Sequence, residues 1–200
     1  EPPPGAESDS ERPRAVVVVS GHWEEPGFAV NTAPRPSLLF DYYGFPPHTY
    51  QLQYPAPGSP ELAHETAELL AAAGIASRLD PQRGFDHGVF VPMLLMYPNA
   101  DIPVVQVSLR SDLDAEFHLA LGEAIAPLRD HGVLIVGSGM SYHNMRRFGS
   151  PDAYGDSIAF DDWLTAACTH EPARRRAALA HWTDAPQARP VHPREDTCCP

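Results

Sequence analysis

Apolar residues in this chain gather into short, stiff runs separated by polar and proline-rich connections, and the spacing of the runs predicts the elements. Ala15 to Ser20 is a continuous β-branched stretch, as expected of a strand buried on both faces of a parallel sheet. Ile102 to Leu109 and Val133 to Val136 share that texture, and Ile75 to Leu79 predicts a shorter strand. Ser59, Pro60 and Glu61 offer an N-cap hydroxyl, a proline at the first helical position and an early acid. The helix they open is expected to stop at Gly74, whose missing Cβ suits a C-terminal cap. A second helix is predicted over Gly88 to Tyr97, with Pro92 in its first turn or bending it. A third spans Leu113 to Arg129 and sets Phe117, Leu121 and Ile125 on one face. Phe160 to Cys168 and Arg174 to Trp182 read as two more helices.

This alternation predicts an α/β fold with a mostly parallel central sheet and helices on both faces, within the connection lengths that right-handed crossovers need. Residues 1–14 are proline-rich and charged and are expected to be loop-like or disordered, leaving 15–200 as one domain. Prolines and aromatics dominate Asn31 to Gly58, a connection long enough to read as a pocket wall rather than a linker.

With 43% apolar residues, 200 residues can bury one substantial core. A formal charge of -12 argues against a nucleic-acid footprint and a polybasic membrane patch, which leaves small molecules as the expected partners. Three cysteines, with Cys198 and Cys199 adjacent, make neither a disulfide framework nor a spaced zinc quartet, and a reducing cytoplasm fits. The apolar stretches fall short of the ~20 residues that cross a bilayer, and no basic leader precedes one, so a soluble, untargeted chain is expected. Assembly as a homo-oligomer stays open.

Candidate chemistry lies where the stiff runs end. His22 follows VVVVSG, His87 stands in GFDHG, and His143 closes VLIVGSGMSYH. Imidazoles delivered to strand ends suit one polar site above a sheet, working through a metal or as acid and base. Each has a plainer alternative. His22 could bond a loop carbonyl, with Glu24 and Glu25 either orienting it or merely exposed. Asp86, beside His87, could simply cap the next helix. Gly137, Ser138, Gly139, Ser141 and Asn144 give His143 small and polar company, which is neither a dinucleotide fingerprint nor a nucleophile elbow. His48 and His64 read as exposed, and His118, His131, His170 and His181 as structural or surface residues. Tyr42, Phe45 and Tyr50, with Tyr43 and Tyr54, are candidates for an aromatic substrate pocket or for core packing. Met93 and Met96 read as core.

Several segments, in order, resemble the class III extradiol ring-cleavage dioxygenases, in the subgroup typified by DOPA extradiol dioxygenase. They are VVVVSGHW, YYGFPPHTYQLQYPAPGSPELA, GFDHGVFVPMLLMYPNADIPVVQVSL, VLIVGSGMSYHN and the final HP. The resemblance implies a mononuclear Fe(II) or zinc centre that opens a catechol-type ring with O2. It implies that His22 is a metal ligand, that His143 is a ligand or the acid-base group beside the metal, and that His87 lies near substrate and dioxygen. It also implies two further ligand histidines. One belongs to a His-Gly-Ser-Pro segment that nothing before Ala15 supplies; the other is expected where HPREDTCCP has Thr197. The expectation is therefore a domain without its first and last strands, with activity in question. The tail Asp-Thr-Cys-Cys-Pro can be written GAC ACC TGC TGC CCN, which contains CAC CTG CTG CCC in a shifted frame, His-Leu-Leu-Pro, so a frameshift or misplaced boundary is expected. A non-catalytic aromatic-binding domain and a zinc-dependent hydrolase are the alternatives.

Overall fold

A computed structural model describes residues 12–194. Five strands form one sheet in the order β3-β2-β4-β1-β5. They are β1 (Ala15–Glu25), β2 (Phe28–Asn31), β3 (Ser77–Asp80), β4 (Val104–Arg110) and β5 (Val133–Ser138). β1 pairs in parallel with β4 and β5, and β2 with β3, while β2 meets β4 antiparallel. The sheet is thus mostly parallel, as the element order predicts. The short β2 was not foreseen: FAVN is a four-residue segment, and its partners lie far along the chain. β1 also runs past Ser20 to Glu25.

The helices are α1 (Pro60–Ala72), α2 (His87–Met96), α3 (Ala115–Ile125), α4 (Pro151–Cys168), α5 (Pro172–Ala180) and the single turn α6 (Ala188–Val191). α1 begins as its sequence dictates. Ser59 Oγ accepts the Leu62 N–H at 3.2 Å, Pro60 opens the helix, and Gly74 adopts φ +76° beyond its end. The third predicted helix divides, with α3 giving way to a 3-10 segment (Ala126–His131) that contains Pro127. α4 starts nine residues before the predicted Phe160 (from 151 rather than 160).

The period of two along β1 sorts its residues between layers. Ala15, Val17 and Val19 enter one core with Val105 and Val107 of β4, Leu62 and Leu70 of α1, and Leu121 and Ile125 of α3. Val16 and Val18 face the other way, with Val104, onto Val89, Phe90 and Met93 of α2. Helices therefore cover both faces. Phe117 departs from the expected apolar face: it is 44% exposed, and the Arg110 guanidinium lies 3.7 Å over its ring. Met96 is likewise exposed, whereas Met93 is core. A third core joins α4 to the last turns through Phe160, Trp182 and Val191.

Candidate active site

The three candidate histidines lie near the carboxyl ends of parallel strands or in the segments that follow them, where open α/β sheets place their sites. His22 lies within an irregular stretch of β1. Between the pairs Val19 with Val107 and Glu24 with Leu109, β1 advances five residues while β4 advances two. His87 is the first residue of α2, and its imidazole lies against that of His22 with ring centroids 4.0 Å apart. Gly88 permits the approach. A Cβ there would fall 2.5 Å from Ser20 Oγ and 3.0 Å from His22 Cδ2.

The proline-rich connection contributes the third group, Asp41, which sequence reasoning missed. Its Oδ1 accepts both the His87 backbone N–H at 3.0 Å and the His87 Nδ1–H at 2.8 Å. Its Oδ2 stands 3.9 Å from His22 Nδ1. The loop is fixed for this by a strand-like bridge: the Leu39 N–H donates to Phe85 O at 2.7 Å and the Phe85 N–H to Ser37 O at 2.8 Å. No local sequence signal marks Asp41; only that long-range bridge does. His22, Asp41 and His87 each offer a ligand atom, all within 4.8 Å of one another, and two imidazoles with one carboxylate are a chemically apt donor set for a divalent transition metal.

Beneath this trio lies a buried polar network. Asp86 does not cap α2, contrary to the plainer expectation. Its fully buried carboxylate accepts the Ser20 hydroxyl at 2.7 Å, the Arg83 guanidinium at 2.9 Å and the Gln106 amide. Ser20 Oγ in turn accepts the His22 backbone N–H at 3.2 Å. Glu24 and Glu25 do not orient His22. Glu24 pairs with Arg194, and Glu25 accepts from the Trp23 indole and pairs with Arg78.

Burial lowers the His22 pKa, and the nearby His87 adds to the effect; Asp86 and Asp41 oppose it, and His143 lowers it further. The neutral, lone-pair form is thereby favoured. Burial raises the Asp41 carboxyl, but the two His87 N–H donors outweigh it and leave it below the ordinary value. His143 is near enough to affect His22, yet it lies outside the compact trio. Its backbone N–H donates to Val191 O at 3.1 Å. Its expected polar company serves the backbone instead, Ser138 donating to Gly88 O and Asn144 to Pro190 O. The histidine of the final HP, His192, is fully buried against Phe160 and Trp182 with Nε2 at 3.1 Å from Ser141 O. Thr197 and the shifted-frame tail lie outside the described residues, as does the segment 1–11.

Beside His87 a cavity of about 270 Å³ is walled by Tyr42, Phe45, Thr49, Leu52 and Val91. Tyr42 meets the His87 ring edge-on at 5.7 Å, and its hydroxyl donates to Thr49 O at 2.6 Å. Tyr50 does not line this cavity; it braces Tyr42 from behind at 5.2 Å. Tyr43 points away, 91% exposed, and Tyr54 is core, its phenol pushed up to about 12 by burial. Two larger grooves, near 770 and 790 Å³, flank β5 and α4 and contain none of the trio.

A family profile described as "Catalytic LigB subunit of aromatic ring-opening dioxygenase" matches residues 5–187. The chain belongs to the class III extradiol dioxygenase family, in its DOPA subgroup. It is 47% identical over 167 residues to a 4,5-DOPA dioxygenase extradiol of Beta vulgaris, covering 80% of this chain and 61% of that protein. It is 40% identical over 193 residues to Dioxygenase tasH of Hapsidospora irregularis, covering 91% and 60%. A crystal structure of an uncharacterized Escherichia coli K12 protein superposes with TM-score 0.75 at 34% identity, covering 94% of this chain and 72% of that one. The chain spans about 60% of the length of the curated relatives it matches.

Proposed function

We propose that this class III dioxygenase domain opens a catechol-type, DOPA-like ring beside its hydroxyls, with O2 as co-substrate, at a mononuclear non-haem Fe(II). The observation that carries the reading is the meeting of His22, His87 and Asp41 beside an aromatic-walled cavity. The donor set fits a metal: His22 would hold it through a neutral imidazole and His143 would be the second imidazole, in the role of ligand or acid-base group, while Asp41 holds His87 beside it. When bound, Fe(II) would supply the positive charge that favours the ionised catechol and the redox chemistry with O2 that zinc lacks.

The protein's own groups supply the rest. The His87 ring holds its Nδ1 proton on Asp41, so Nε2 is the nitrogen left to take a hydroxyl proton from a bound catechol and return it later. Tyr42 and Phe45 offer the faces and edges of their rings to a flat aromatic guest, and Leu52 and Val91 add apolar surface to the same wall. No helix among the described residues is long and apolar enough to cross a membrane.

The test is anaerobic loading with Fe(II) or Zn(II), metal analysis, and exposure to a catechol and air. Stoichiometric iron with a yellow ring-opened product is the expected result, with zinc-loaded protein inert. Catechol binding without metal uptake or turnover would replace this reading with a pocket-only domain, and ester hydrolysis by the zinc form would replace it with a hydrolase.

A further inference from the structure

Asp86 occupies the N-cap position of α2 yet turns its carboxylate inward to Ser20, Arg83 and Gln106. The first N–H of the helix therefore needs an acceptor from elsewhere, and the loop carboxylate of Asp41 provides it, 46 residues away in sequence. The same oxygen takes the ring proton of the same residue. Backbone and side chain of His87 are held at one point, which leaves little freedom in its χ angles. A carboxylate can only accept, so the ring nitrogen facing it must carry hydrogen.

We infer that Asp41 is a positioning residue: it caps α2 from the aromatic loop and locks His87 in the Nδ1–H tautomer, so that Nε2 is a bare acceptor at the cavity. The inference deepens the proposed function by assigning how its proton-accepting ring is set. Asp41 also ties the state of the ring to the seating of the loop, because Leu39 and Ser37 anchor that loop on Phe85 only two residues before His87. Tyr42 and Phe45, the cavity wall, follow directly. A loop lifted from Phe85 would release wall and tautomer together.

The experiment uses the metal-free chain with ¹⁵N-labelled histidine at about pH 8, where ordinary imidazoles are neutral. Two-bond ¹H–¹⁵N spectra report which ring nitrogen is protonated, and His87→Gln assigns the signals. Expected is an Nδ1–H ring in the wild type, loss of that preference in Asp41→Ala, and its retention in Asp41→Asn, whose amide oxygen can accept both bonds. Circular dichroism of each variant confirms the fold. An unchanged Nδ1–H ring in Asp41→Ala would overturn the inference. Asp41→Asn that keeps the tautomer but no longer takes up Fe(II) would overturn it as well, since Asp41 would then act as a ligand.

In turnover, Asp41→Ala is expected to lose on the order of 10²-fold in kcat with KM changed less than about three-fold, and Asp41→Asn to recover most of it. A KM effect without a kcat effect would count against positioning. If the wild type turns over no catechol, the proposed function fails while the ring spectra still decide the role of Asp41.

Discussion

The two faces of the sheet are built from the same strands and meet different ends. On the face toward α1 and α3, Val17, Val19, Val105, Val107 and Leu109 stay apolar to the last residue. On the face toward α2, the series Val16, Val18, Ser20 and Val104, Gln106, Ser108 turn polar as the strands approach the site, although all six remain buried. One face is closed by packing alone. The other converts its final layer into hydrogen bonds, Ser20 and Gln106 holding His22 and the start of α2 and Ser108 holding β2, which shows how a sheet can be stable and carry polar groups at once.

The sharpest way to break this distinction is Asp86→Ala. It leaves Arg83 without its buried counter-charge and Gln106 without its acceptor, and is expected to cost about 3–5 kcal/mol in urea unfolding and to abolish stoichiometric metal uptake. Leu121→Ala, on the apolar face, should cost about 3 kcal/mol by the same measurement while metal uptake per folded molecule is unchanged. Equal loss of metal in both variants would show that the faces are not separable. Ser20→Ala removes a single link and should cost about 1–2 kcal/mol, with metal affinity falling more than stability because the His22 backbone loses its anchor.

The smallest effect concerns pH. His118 accepts the Arg110 N–H through Nε2 and donates from Nδ1 to Asp114 O, and burial lowers its pKa. The unfolded chain takes this proton first, below about pH 6.5, so the stabilisation is present above that value and is lost as pH falls toward the lower folded value. The thermal midpoint should therefore decline as pH falls below about 6.5, and His118→Gln should flatten that slope.

The strands and most helices were legible because each is written locally: a β-branched run for β1, β4 and β5, and a serine, proline and glycine for α1. His22 and His87 could be singled out for the same reason, His22 following the β-branched run and His87 opening α2. What was not legible depends on distant pairing. β2 is four residues whose hydrogen bonds come from β3 and β4, and Asp41 looks like any loop carboxylate until the bridge from Leu38 to Phe85 sets it beside His87. Tyr42 and Tyr50 are equivalent in sequence character; only the packed loop makes one a wall and the other its support.

The loop's anchorage ends at Asp41 and its aromatic lining begins at Tyr42. Residues that fix the histidine and residues that wall the cavity are thus consecutive but separate. Exchange at Phe45, Thr49 or Leu52 would reshape the cavity while leaving the hydrogen bonds of Asp41, His87 and Asp86 in place.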